Sequence, residues 1–93
     1  MPHLRIAHLR EQGQNMVIVP LDSRFGHRTG EDQNAIVAEL QQRARAAGLA
    51  GTVVSVWESG GRINFRAPRP WHPFFQSLSM ALVLRNINKE LSW

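Results

Sequence analysis

The chain has no cysteine and no tyrosine, and Lys89 is its only lysine. Without cysteine there is no disulfide framework, no thiolate nucleophile and no cysteine-based zinc or iron–sulfur centre. No apolar run approaches the roughly 20 residues that a membrane-spanning helix needs; the longest covers residues 80–84. The opening segment carries His3, Arg5, His8, Arg10 and Glu11, with no apolar stretch of signal-peptide length. The expected location is the cytoplasm, with no membrane partner. The same absences explain the sequence pI of about 11.4. With almost nothing but arginine titrating at high pH, a small excess of base moves the pI far. The net charge is a mild +4, and it falls mainly outside residues 31–51.

What is present describes a folded domain. Hydrophobic residues make up 43% of the 93 and charged residues 19%, a composition of globular rather than disordered chains. The length suits a single domain spanning 1–93. Residues 4–10 alternate as a strand, with Leu4, Ile6 and His8 on one face and His3, Arg5, Ala7 and Leu9 on the other. A polar turn at 11–14 leads to Met16-Val17-Ile18-Val19, apolar on both faces and therefore a central strand, which Pro20 ends. Thr29 followed by Asp32 is a capping-box variant that opens an amphipathic helix over 31–47, stopped by Gly48. Residues 52–58 are β-branched, Ser59-Gly60-Gly61 is a hairpin turn, and 62–67 alternate as a half-buried strand. Pro68, Pro70 and Pro73 interrupt the chain before a second helix over 74–91.

The expected fold is thus α+β in the order β-β-α-β-β-α: a four-stranded antiparallel sheet with two helices packed on one face. The halves, roughly 1–50 and 51–93, share one plan: hairpin, proline, arginine/histidine loop, helix. The second helix strains this scheme. Phe74, Phe75, Leu78, Ala81 and Leu82 occupy one side of its wheel, and Met80, Leu84, Ile87 and Leu91 nearly the opposite side. A helix apolar on two sides is buried twice, is broken, or meets a partner. Met80, Leu84, Ile87 and Leu91 are therefore a candidate oligomer interface, and a break near Ser79 is the alternative.

Two further surfaces stand out. Arg5, Trp57, Arg62, Asn64 and Arg66 would share the outer sheet face if Val54, Val56, Ile63 and Phe65 point to the helices. Cations beside an aromatic platform suit single-stranded nucleic acid. The proline-bounded loops carry Arg24, His27 and Arg28 in one half and Arg69, Trp71 and His72 in the other, and would form an anion or ligand site if they converge. The four histidines show no metal-ligand spacing, so no metal or other cofactor is expected. Asp22, Ser23 and His27 match a catalytic triad in type but are too local to take its geometry.

Met1-Pro2-His3 resembles the opening of the tautomerase superfamily, in which removal of the first methionine exposes a proline amine that acts as the base. The resemblance covers about the first eight residues. It implies Pro2 as a catalytic base, with an arginine such as Arg10 holding a keto acid. The chain then departs from that pattern: the family runs from its first strand into a helix and a parallel strand, whereas here Met16-Val17-Ile18-Val19 intervenes. The leading expectation is a small non-enzymatic binding module that acts as a homo-oligomer, with a dimer the expected form, through its C-terminal helix. Nucleic-acid binding and the proline-based enzyme are the alternatives.

Overall fold

Met16-Val17-Ile18-Val19 has no polar side to turn toward water. In the computed structural model, which describes residues 3–11 and 13–92, these residues lie in the middle strand of a five-stranded sheet. The elements in chain order are β1 (His3–Glu11), β2 (Gln14–Pro20), a 3-10 turn (Ser23–His27), α1 (Gly30–Ala46), β3 (Thr52–Ser59), β4 (Arg62–Arg66), a second 3-10 turn (Arg69–Trp71), α2 (His72–Gln76), α3 (Met80–Arg85) and β5 (Lys89–Ser92). The strands run in the order β4-β3-β2-β1-β5.

Local signals account for most of these boundaries. The Thr29 hydroxyl accepts from the Asp32 amide at 3.1 Å and starts α1, with Glu31 and Asp32 in its first turn. At the other end the Leu49 amide donates to the Ala44 carbonyl (2.9 Å) and the Gly48 amide to Arg45 (3.0 Å). This is a Schellman closure, and Leu49 completes it by packing on the core. Gly60 and Gly61 both take positive φ, 60° and 75°, the backbone of a two-residue turn whose twist suits a hairpin.

The α+β class agrees with the sequence reading, but three finer features do not. First, the sheet is mixed. β2 and β3 are parallel, pairing Met16 with Thr52 through Pro20 with Val56. The 17 residues of α1 span about 25 Å, enough to carry the chain back along the sheet so that β3 starts at the same end as β2. Second, the helices lie on opposite faces. Val17, Val19 and Val53 pack with Leu40 and Ala44 of α1, whereas Met16, Ile18, Val54 and Val56 pack with Phe75 and Val83 of α2 and α3. Strands apolar on both sides require cover on both sides. Third, the helix expected over 74–91 is two short helices and a strand. The chain breaks after Gln76, Ser79 caps α3 by accepting from the Leu82 amide (3.2 Å), and residues 89–92 pair antiparallel with β1 as a fifth strand.

Amide side chains supply the non-local joints. The Asn88 side chain accepts from the His8 amide and donates to its carbonyl, both at 2.9 Å, extending the β1–β5 ladder by one side-chain pair. Gln41 of α1 does the same for the loop before β3, donating to the Gly51 carbonyl (3.0 Å) and accepting from the Val53 amide (2.8 Å). Ser55 is the opposite case: it is fully buried and its hydroxyl has no hydrogen-bond partner among the described residues. A buried hydroxyl without a partner is a net cost. Ser55→Ala is therefore expected to raise the unfolding free energy by about 1 kcal/mol, read as a higher urea midpoint with an unchanged slope.

Candidate functional site

The face below α3 carries an apolar groove. Met80 and Leu84 are one helical turn apart, and Ile87 follows on the same side as the chain leaves α3. Together with Leu4, Pro20 and Leu21 they line a groove of about 620 Å³ at the end of the sheet. Arg5 and Glu58 give this groove one charge of each sign. Val83 points inward and is buried, while its neighbours Leu82 and Leu84 are 40% and 53% exposed. These two are the large apolar side chains that α3 leaves in water, one on each flank of Val83. Three of the four residues expected at an oligomer interface, Met80, Leu84 and Ile87, thus meet in one groove. Leu91 does not join them. It lies in β5, is 1% exposed, and packs in the core beneath α1.

The two arginine/histidine loops line separate grooves on opposite faces of the sheet. Arg24, His27 and Arg28 border a groove of about 470 Å³ with Phe25 and Ile36. Asp22 shares it, accepting from the Arg24 amide at 2.9 Å and from the Arg24 guanidinium at 3.2 Å. These bonds, the amide first, hold the Asp22 carboxyl below its ordinary pKa. The cap on the 3-10 turn is therefore intact above the usual carboxylate range and is lost as pH falls through the lowered value. Trp71 borders a different groove, of about 630 Å³, with Glu11, Gln14 and Phe74. His72 donates to the Ala67 carbonyl (3.0 Å) and sets its ring edge-on to Phe65, so it anchors the start of α2. Arg69 is exposed.

The residues read as a nucleic-acid face are also parted. Trp57 is 8% exposed, edge-on to Phe25 with ring centroids 4.9 Å apart. Gly26 lies so close that a Cβ there would fall 2.5 Å from the Trp57 ring nitrogen. The Trp57 ring thus offers no open stacking surface. Arg66 donates to the Gln33 side chain (2.6 Å) and to Asn34, both in α1. Gln33 in turn donates to the carbonyls of Phe25 (3.0 Å) and Arg28 (3.3 Å). Arg66 and Gln33 clamp β4, α1 and the first loop together, a role that no local pattern announces because the partners are 33 residues apart. Arg62 is exposed and Asn64 half-buried on that same side, while Arg5 lines the groove below α3 on the other face.

Pro2 lies outside the described residues. No group of three or more His, Asp or Glu side chains is placed to hold a metal ion among the described residues, and no helix among them is long and apolar enough to cross a membrane. No protein-family model, curated protein or solved structure matches the chain.

Proposed function

We propose that this protein is a small non-enzymatic interaction module that acts as a homodimer through the groove below α3. The observation that carries this reading is Leu84, half exposed on an apolar wall shared with Met80 and Ile87. A second copy suits the groove because of its charges. A two-fold axis brings the same patch of each copy face to face, and the opposite signs of Arg5 and Glu58 allow these groups to pair across it. Small chains also gain stability by covering apolar surface in pairs.

The test is light scattering at tens of micromolar, where a dimer is expected and a compact monomer sinks the idea. Leu84→Asp is expected to yield a monomer with unchanged far-ultraviolet circular dichroism. Burying an unpaired carboxylate at an interface costs several kcal/mol, roughly, whereas on a free surface it costs little.

A further inference from the structure

β4 is a terminal strand of the sheet, with no strand beyond it among the described residues. Its hydrogen-bonding phase follows from its turn. The two-residue Gly60–Gly61 turn makes Ser59 and Arg62 a bonded pair, and bonded pairs then alternate along an antiparallel ladder. The register pairs Trp57 with Asn64 and Ser55 with Arg66. Asn64 and Arg66 therefore spend their backbone groups on β3, and Ile63 and Phe65 direct theirs outward. The side chains of Ile63 and Phe65 pack toward the α2/α3 core. Beside them runs a groove of about 480 Å³, walled by Gln76, Leu78 and Met80, with Glu58 next to Ile63.

We infer that the free edge of β4 takes up an extended segment of another protein as a sixth strand, and that this segment reads apolar–acidic–apolar. Residues of the incoming strand opposite Ile63 and Phe65 point the same way as those side chains, into the groove. Leu78 and Met80 meet apolar groups there, while Glu58 and Arg62 at its rim offset each other in charge. The residue between them lies opposite Asn64 and diagonal to Arg62 and Arg66. Neither arginine has an ion pair among the described residues, and although the Arg66 guanidinium is held by Gln33 and Asn34, those partners are neutral and leave its charge uncompensated, so an acidic side chain at that point meets positive charge on both sides. The same charges disfavour a second copy of this chain. In the antiparallel register centred on Asn64, each Arg62 faces the other copy's Arg66, and like charges directly opposed are unfavourable. Strand addition with alternate side chains read in a groove is an established recognition mode.

The experiment uses the Leu84→Asp protein, so that the proposed dimer groove plays no part. The probe is a blocked, fluorescein-labelled peptide, Thr-Val-Glu-Val-Asp-Val-Thr, followed by anisotropy and by amide shifts of the labelled protein. Saturable binding is expected, with the largest shifts at Ile63 and Phe65. The peptide with lysine for both acids should bind roughly tenfold more weakly, and Arg62→Glu, which leaves one charge of each sign beside the residue opposite Asn64, should remove the preference. N-methylation of the central valine amides should abolish binding, because it removes the donors to the edge. Equal binding of the N-methylated peptide, no preference between acid and lysine, or no binding at several hundred micromolar overturns the proposal. A Leu84→Asp protein that stays dimeric with protected Ile63 and Phe65 amides also overturns it, by placing a second copy at the edge.

Discussion

Phe75→Ala is expected to lower the unfolding free energy by about 3–5 kcal/mol, the largest loss from any single truncation on the α2/α3 face. Phe75 is fully buried. Its ring lies 5.1 Å from Phe74, edge-on, and 5.5 Å from Phe65. It belongs to a helix of only five residues, too short to persist on its own propensity. α2 is therefore held by this side chain more than by its own backbone bonds. Truncation removes the buried ring, leaves a cavity that three strands cannot close, and frees the segment from 69 to 76. Urea denaturation checks the stability, and loss of amide protection confined first to α2 and the 3-10 turn before it checks the mechanism. A loss below about 1.5 kcal/mol would mean that the site collapses readily and that the ring is not the anchor.

Leu91→Ala is expected to cost about 2–5 kcal/mol, and Leu84→Ala less than about 1 kcal/mol of monomer stability. Leu91 and Leu84 are chemically identical and seven residues apart, and the sequence wheel puts them on one stripe. The fold separates them. Leu91 is paired across β1 with Leu4 and packed against the core beneath α1, whereas Leu84 stands on the other side of the sheet, half in water. Paired urea titrations on the two variants, run dilute enough to keep the chain monomeric, distinguish the roles. Similar costs at both positions would return Leu91 to the same surface as Leu84 and contradict the fifth strand.

The contrast between these leucines shows which parts of the fold the sequence makes legible. Signals confined to a few residues were readable: the Thr29 cap, the Gly48 stop, the Gly60–Gly61 turn, and the face assignment of Leu4 and Ile6 against Ala7 and Leu9. The centrality of Met16-Val17-Ile18-Val19 was readable too, since a strand apolar on both sides has nowhere else to go. The same pattern also implies cover on both faces, which the two-layer expectation did not use. Features decided by partners far along the chain were not readable. Nothing local makes β3 parallel to β2 rather than antiparallel. Nothing local assigns residues 89–92 to a strand, because their ladder and the Asn88 bonds to His8 depend on β1. The apparently two-sided helix over 74–91 arose from reading three elements as one, with Phe75 and Val83 serving one core and Leu91 the other. Of the candidate sites, Met80, Leu84 and Ile87 come together because they lie close in the chain. Arg66 and Trp57 were misplaced because their neighbours, Gln33 and Phe25, come from another part of it.

The pairing of β1 with β5 also bears on synthesis. His3 and Glu90 are in direct contact although 87 residues apart, and β1 lies between β2 and β5. On the ribosome β1 can pair with β2 as soon as both have emerged, but its other edge stays open until the residues of β5 have been made. Over that interval Leu4 and Ile6 lack Leu91, and the core beneath α1 is incomplete. Closing so long a loop has a high entropic cost until the rest of the sheet has shortened it. The nascent chain thus carries an open, apolar strand edge from the synthesis of β1 until that of β5, and chaperone capture or aggregation of products truncated between them should concentrate on β1.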